Sequence, residues 1–288
     1  MTASLKARVT SWLPASLRRE RTVIPIVRLS GAIGSAAPLR GGLSLAAVEG
    51  ALAKAFGVKQ APAVAIVVNS PGGAAVQSHL IFKRIRALAE EKGKHVIVAV
   101  EDVAASGGYM IAAAGDEIIV DGSSILGSIG VISASFGFTG LIERLGVERR
   151  VHTAGKSKSM LDPFRPEKEE DVARLKSLQE DVHADFIALV KRRRPNLADD
   201  PDLFTGAFWS GAHAVQLGLA DRVGDLREVL RERYGDQLRV LPVEVQRSGW
   251  LRRRLGLSGA DQSTVAAGLL ERALAVADER FLWERFGL

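Results

Sequence analysis

The sequence predicts an α/β protein built on a parallel sheet, and three observations carry that expectation. Two continuous apolar runs, Ala63 to Asn69 and Val96 to Val100, have strand length and no polar alternation, the mark of strands buried on both faces. Each run leads into a glycine-rich turn, Ser70-Pro-Gly-Gly73 and Ala104-Ala-Ser-Gly-Gly108, and a helical pattern follows each turn. The resulting order β-α-β-α-β with short turns needs crossover connections, and right-handed crossovers put the turns along one end of the sheet. In open α/β sheets that carboxyl end is where ligands are held.

The remaining elements follow in order. Val23 to Leu29 is β-rich and reads as the first strand, and Gly31 to Gly42 is a loop rich in glycine and alanine. Ser44 can cap a helix reaching about Phe56. A helix over about Ala74 to Glu91 places Leu80, Ile81, Ile85, Leu88 and Ala89 on its apolar stripe, and Gly93 ends it. After the strand at Val96 and a helix at Ser106 comes a short strand, Glu117 to Val120. Gly127 to Ser133 reads as a small-residue strand, Thr139 to Leu145 as a short helix, Val147 to His152 as a strand, and Ala154 to Pro166 as a polar loop. A long helix over about Pro166 to Arg193 keeps Val172, Leu175, Leu178, Val182, Phe186 and Leu189 at helical spacing. Ala212 to Gly218 and Leu226 to Tyr234 read as helices, and Val240 to Val245 as a last strand.

Three regions result: a basic arm over residues 1–21, an α/β domain over 22–248, and a basic amphipathic helical extension over 249–288. The extension opens with Trp250-Leu-Arg-Arg-Arg254, and its helix is expected from Ser263 to Phe286.

Composition bounds the chemistry. The 288 residues contain no cysteine, which excludes disulfides, thiolate catalysis and cysteine metal sites. The net charge is +6, with basic clusters at Arg18, Arg19 and Arg21, at Lys191 to Arg194, and at Arg252 to Arg254. Solvated faces are the plain reading of these clusters, and contact with an anionic membrane surface is the next. Nucleic acid is not expected, since no aromatic or glycine pattern accompanies the charge. No run approaches the length of a spanning helix, so no transmembrane anchor is expected. Nor is a signal peptide, because Val9 to Leu17 is short, holds Pro14 and leads into arginines. No histidine/carboxylate metal spacing or phosphate-binding loop is present, so neither a metal nor a nucleotide cofactor is expected.

The candidate nucleophile is Ser106, set among residues too small to hide it. A serine hydroxyl needs a base. Of the five histidines, only His152 has a placement worth weighing; His79, His95, His183 and His213 read as structural or surface residues. Lysine is the alternative, and its pKa near ~10.4 must fall by roughly 3 units through desolvation to act near neutrality. Gly155-Lys-Ser-Lys-Ser-Met-Leu-Asp-Pro163 offers Lys156 and Lys158 among small and apolar neighbours. Acyl transfer also needs backbone N–H donors close to the developing oxyanion. Gly72 and Gly73 offer one such donor, and Gly107 another.

Taken together, Asn69-Ser-Pro-Gly-Gly73, Ala105-Ser-Gly-Gly-Tyr109, Gly127-Ser-Ile-Gly-Val-Ile132, the Gly155 to Pro163 loop, and Phe204-Thr-Gly206 with Ala214 to Asp221 resemble the signal peptide peptidase A (SppA) family of serine proteases. The family is related to the Clp protease and crotonase folds. The resemblance spans about Val23 to Asp225 and implies a ClpP/crotonase-like α/β fold with a Ser/Lys dyad. Ser106 matches the nucleophile and Lys158 the general base, with Lys156 the decoy. Ser128 matches a serine that hydrogen-bonds the lysine amine. The backbone at Gly73 and Gly107, with Gly72, is implied as the oxyanion hole, and the strand at Gly127, Ile129 and Gly130 as the place where a substrate strand pairs.

The family also implies substrates that are unfolded apolar peptides such as signal-peptide remnants. Single-copy members form homo-oligomeric rings whose dyad joins two subunits, and the same is expected here. A cytoplasmic or peripheral inner-face location is expected, because the membrane anchor of many members has no counterpart in this sequence. The Clp alternative is disfavoured, since no histidine lies about two dozen residues after Ser106. Two other readings stand beside the peptidase: a crotonase-like acyl-CoA enzyme, and a non-catalytic membrane-associated peptide-binding scaffold.

Overall fold

A computed structural model of the chain describes residues 21–34, 36–37, 40–245 and 280–287. Its centre is an eight-stranded sheet. Strand β1 (Val23–Ser30) leads to a small hairpin, β2 (Ala36–Ala37) and β3 (Arg40–Gly41), inside the expected glycine-rich loop. Helix α1 (Leu45–Phe56) starts at Ser44, whose hydroxyl accepts the Ala47 N–H at 3.3 Å. Strand β4 (Ala63–Ser70), helix α2 (Ala75–Lys92), strand β5 (His95–Ala105) and helix α3 (Gly107–Ala112) are the β-α-β-α core read from the sequence.

Strands β6 (Glu117–Val120) and β7 (Ile125–Gly127) both pair with β5. Helices α4 (Thr139–Arg144) and α5 (Glu169–Arg193) come next. They are followed by β8 (Phe208–Ser210), α6 (Gly211–Gln216), β9 (Arg222–Val223), α7 (Leu226–Tyr234) and β10 (Arg239–Val243). The order across the sheet is β10-β1-β4-β5-β6-β9, with β7 also on β5 and β8 on β7. Every pairing in this sheet is parallel except β7 with β8.

The length of β5 explains the layout near its end. Its 11 residues hold two partners in succession: β6 against Ile97–Val100, then β7 against Val103–Ala105. The second half thus carries the chain past the main sheet and delivers Ser106 beside Gly127. One sheet face is covered by α1, α2, α3 and the last turns of α5, in a core that includes Leu52, Phe56, Ile81, Ile85, Ile111 and Val190. The other face carries α7, through Val229 and Leu230 against Ile24, Ala65 and Ile97. Ile81 and Ile85 are fully buried, each contributing roughly 1.5–3 kcal/mol by leaving water. Gly93 closes α2 in the left-handed conformation, φ 59°.

The structure corrects several expectations. Leu80 is 38% exposed, because it lies about 100° round the helix from Ile81 and off the buried stripe. The strand expected over Gly127 to Ser133 ends at Gly127, since Ser128 turns away with φ 51°. The strand expected at Val147 to His152 is absent: no neighbouring strand offers a ladder, and β-rich composition alone does not make one. Strand β8 was not anticipated; three residues bounded by Ala207 and a helix give no periodicity to read.

Of the expected stripe on α5 only Phe186 and Leu189 are buried, with Val190 beside them; Leu178 is 60% exposed, because burial is confined to the last turns of the helix. The central basic cluster is not all solvated face. Arg194 is 8% exposed and binds the Asp221 carboxylate with two bonds, at 2.8 and 2.9 Å, while Arg193 donates to the Ala113 and Gly115 carbonyls. The basic arm up to residue 20 and the extension from 249 to 279 lie outside the described residues. Residues 280–284 are helical, within the helix expected at the end of the extension.

Candidate active site

The turn after β4 is built by its own side chains. The Ser70 hydroxyl donates to the Gly31 carbonyl at 2.7 Å and accepts the Gly72 N–H at 3.3 Å. Ile33 bridges the far side: its N–H donates to the Gly72 carbonyl, and its carbonyl accepts the Ala74 N–H, both at 2.8 Å. Gly72 and Gly73 have φ of 106° and 139°, a region closed to most side chains. Space excludes a side chain as well. A Cβ on Gly73 would fall 2.2 Å from the Ile33 carbonyl oxygen; one on Gly72 would fall 2.9 Å from the Ser106 Cβ and 3.1 Å from the Gly107 nitrogen. The SPGG turn therefore packs directly against the ASGG turn.

A register shift between Val68 and Ser70 helps bring this about. Ser70 pairs with Ala104 beyond the shift, so the extra residues lie on β5, and the Asn69 side chain reaches across to them. Its Nδ2 donates to Asp102 at 2.6 Å, and its Oδ1 accepts the Val103 N–H at 3.3 Å. Nothing in the sequence marked this pair beyond the first letter of the NSPGG motif.

Ser106 sits between strand and helix with φ 51° and ψ −120°. A non-glycine residue in such backbone stores about 1–3 kcal/mol of strain and persists only where its surroundings hold it. Here the Ser106 N–H donates to the Gly127 carbonyl at 2.8 Å, and its carbonyl accepts the Met110 N–H at 3.0 Å. Ser106 is half-buried, while Gly107, Gly108 and Tyr109 behind it are buried. The Tyr109 hydroxyl donates to the Leu219 carbonyl at 2.8 Å, and full burial pushes its pKa far up, so it anchors the helix as a neutral group. The N–H groups of Gly73 and Gly107 donate to no acceptor among the described residues.

Ser128 follows on β7, 3% exposed, with φ 51° and its N–H donated to the Ala207 carbonyl at 2.6 Å. Its hydroxyl makes no hydrogen bond among the described residues. Ile129 is fully buried, and the His183 Nε2 lies 3.0 Å from its carbonyl. Sequence reading set His183 aside as structural; only the fold shows α5 reaching back to the strand after Ser128. Gly130 is half-buried, its N–H donated to the Ser128 carbonyl.

One chain thus gathers Ser106, Gly72, Gly73, Gly107, Gly127 and Ser128 at the carboxyl end of the sheet. It does not join the lysines to them. Lys156 and Lys158 are exposed, and the Lys158 backbone N–H donates to the Gly155 carbonyl within its own loop. That loop belongs to an arm, residues 131–168, whose few internal ties are local. The Phe138 N–H donates to the Pro163 carbonyl, Arg149 pairs with Asp162, and Phe138 packs on Phe164. His152 is exposed on the same arm.

A parallel sheet wrapped by helices, with a strained, half-buried serine beside a second glycine-rich turn, defines the class: an α/β protein with a candidate nucleophile at the carboxyl end of its sheet. The comparisons with known proteins narrow the class. Residues 88–237 match peptidase family S49. The chain is 34% identical over 185 residues to protease 4 of Haemophilus influenzae, covering 63% of this chain and 29% of that protein. It is 32% identical over 218 residues to the chloroplastic serine protease SPPA of Arabidopsis thaliana, covering 73% of this chain and 32% of that one. The Na(+)/H(+) antiporter NhaA of Brucella abortus is 56% identical over 283 residues, 96% of this chain. The chain spans 38% of that relative's length. A solved mutant of a membrane-bound stomatin-specific protease aligns at TM-score 0.44 with 15% identity, over 80% of this chain and all of that one. The chain belongs to peptidase family S49.

Proposed function

We propose that the protein is a serine endopeptidase in which Ser106 attacks the peptide carbonyl and Lys158 is the base. One observation carries the reading. Ser106 is held in strained backbone at the end of a buried parallel strand, packed against the Gly72 turn, and the N–H groups of Gly73 and Gly107 donate to no acceptor among the described residues. Membership of family S49 supports the same assignment.

In this mechanism the Lys158 Nζ takes the Ser106 hydroxyl proton as Oγ bonds to the carbonyl carbon. The tetrahedral oxyanion is met by the two backbone N–H groups, which are already oriented and need no reorganisation. The protonated lysine then gives its proton to the leaving amine, and an acyl-enzyme remains. A water, deprotonated by the same lysine, completes hydrolysis. The unpartnered Ser128 hydroxyl is suited to hold the lysine amine. The substrate strand lies along the backbone after Gly127, where Gly130 is accessible while the Ile129 carbonyl is already taken by His183.

A lysine base needs a desolvated amine, and exposed Lys158 gains one only when another surface covers its arm. We therefore assign the dyad to two subunits of a homo-oligomer, Ser106 from one and Lys158 from its neighbour. The exposed apolar residues of the arm, Ile132, Phe136, Leu141 and Leu145, and Leu178 on α5, support such a covering contact. Unfolded apolar peptides are the substrate class. Among the described residues no helix is long and apolar enough to cross a membrane. The likeness to the antiporter covers 38% of that protein, and we do not carry ion transport from it to this chain.

The test is cleavage of a fluorogenic acyl-peptide panel by the wild type and by Ser106→Ala, Lys158→Ala and Lys156→Ala. Loss in the first two with sparing of the third supports the dyad. An inert wild type, or turnover by Ser106→Ala, would move the acyl-CoA or scaffold reading forward.

A further inference from the structure

The last described segment, residues 280–287, lies far along the chain from Ser106, yet it packs under the strands that build the site. Phe286 is 8% exposed and forms one apolar cluster with Val103 and Ala105, the end of the strand that delivers Ser106, and with Ile125 of β7 and Trp283. Its ring meets Phe208 of β8 edge-on, with centroids 5.2 Å apart. Phe208 is the register partner of Gly127. Three strands, β5, β7 and β8, therefore meet at one apolar cluster centred on Phe286, beside the Gly127 carbonyl that accepts the Ser106 N–H.

The ladder at this place is short. β7 and β8 each have three residues, β8 pairs with β7 alone among the described residues, and Phe208 remains 44% exposed even with Phe286 against it. Three-residue strands with a single neighbour have little stability of their own. The opposite side of Gly127 is filled by Trp209, whose ring carbons would lie 2.7 Å from a Cβ at that position. Gly127 is thus held from one face by Trp209, while the other face depends on the 280–287 segment.

We propose that Phe286, seconded by Trp283, is a positioning residue for the peptidase centre: it staples β7 and β8 onto the end of β5 and so fixes Ser106 and Ser128. The inference rests on the assignment of Ser106 as nucleophile. Ser106 adopts its strained backbone only while its N–H is held by Gly127, and Ser128 stays in place only while Ala207, at the edge of β8, accepts its N–H. Loosening the staple frees both at once.

The experiment uses the full 288-residue chain and compares Phe286→Ala, Phe286→Leu and Phe208→Ala with Phe281→Ala, a change at a 71% exposed neighbour outside the cluster. A misplacement on the ångström scale costs about 100-fold in rate. Phe286→Ala should accordingly lower kcat by about that factor with KM little changed, Phe286→Leu should restore most of it, and Phe281→Ala should match wild type. Amide hydrogen exchange at Ser106 and Ser128 should speed up in Phe286→Ala and Phe208→Ala while the β4 amides stay protected. Wild-type kcat and wild-type exchange in Phe286→Ala would overturn the proposal, as would a rate loss that follows the unfolding temperature alone across all variants. If Phe286→Ala does not fold, Phe208→Ala, at an already half-exposed position, decides by the same two readouts. If the wild type cleaves no peptide, the peptidase reading fails, and the exchange measurement still decides whether the segment holds these strands.

Discussion

The serine end of the site and the lysine arm are built in opposite ways. Around Ser106 the neighbours are fixed: Ala104, Ala105, Gly107 and Gly108 are buried, Gly72 touches the serine, and the backbone is held in a conformation it would not choose. On the arm the bonds are local, Lys158 is exposed, and large apolar side chains face water, among them Phe136 at 76% and Leu145 at 66%. The comparison teaches that a single chain holds the proposed nucleophile and its glycine turns in fixed surroundings but leaves the proposed base exposed. The covering contact proposed for the arm would bury these side chains.

The sharpest way to break that comparison is to separate the two halves. Ser106→Ala and Lys158→Ala should each lose about 10⁴-fold or more in kcat. Mixed and allowed to exchange subunits, they should regain a fraction of wild-type activity, because some interfaces then pair an intact serine with an intact lysine. A mixture as dead as its components would mean that the dyad closes within one chain.

A charge on the arm side should act next most strongly. Leu178→Glu puts a carboxylate on the uncovered stripe of α5 and should shift the protein toward monomers in light scattering, with activity per chain falling in step. Full activity in a monodisperse monomer would remove the need for a covered arm.

The built end has its own test, in stability. Ser106→Gly removes the strain of the left-handed backbone and should raise unfolding free energy by roughly 1 kcal/mol, less than the full strain because glycine also loosens the unfolded chain. Ser106→Ala keeps the strain and should not. Denaturant titration of the two variants checks this, and equal stabilities would show that the conformation carries no tension.

The smallest effect concerns pH and the base of the same sheet. Asp116 is half-buried, which by itself would raise its pKa. The Val96 N–H and the Arg86 and Arg193 guanidiniums outweigh that, and the net pKa lies below the ordinary 3.8. A lowered carboxylate pKa gives stability that is present above the unfolded value and lost as pH falls through the folded one. Unfolding temperature should thus decline more steeply below about pH 4 in the wild type than in Asp116→Asn. Parallel curves for the two would assign the acid sensitivity elsewhere.

Much of this protein was legible from sequence because the deciding interactions are local or periodic. The continuous apolar run of β4, the Ser44 cap, the Ile81-Ile85-Leu88 spacing and the glycines after two buried strands each state their structure within a few residues. They singled out Ser106, Gly72, Gly73 and Gly107 as candidates, and the fold brings these four together. The tertiary structure alone decided what depends on a neighbour. Val147 to His152 has strand composition but no adjacent edge, so it stays coil; Phe208 to Ser210 has no pattern but finds the edge of β7, so it becomes a strand. Arg194 reads as solvated charge until Asp221, distant in sequence, folds against it. Leu178 obeys helical spacing yet lies in water, because periodicity says which residues share a face and not whether anything covers that face. The same limit applies to Lys158: its identity and spacing are in the sequence, but the burial that its proposed role demands is decided by tertiary or quaternary packing.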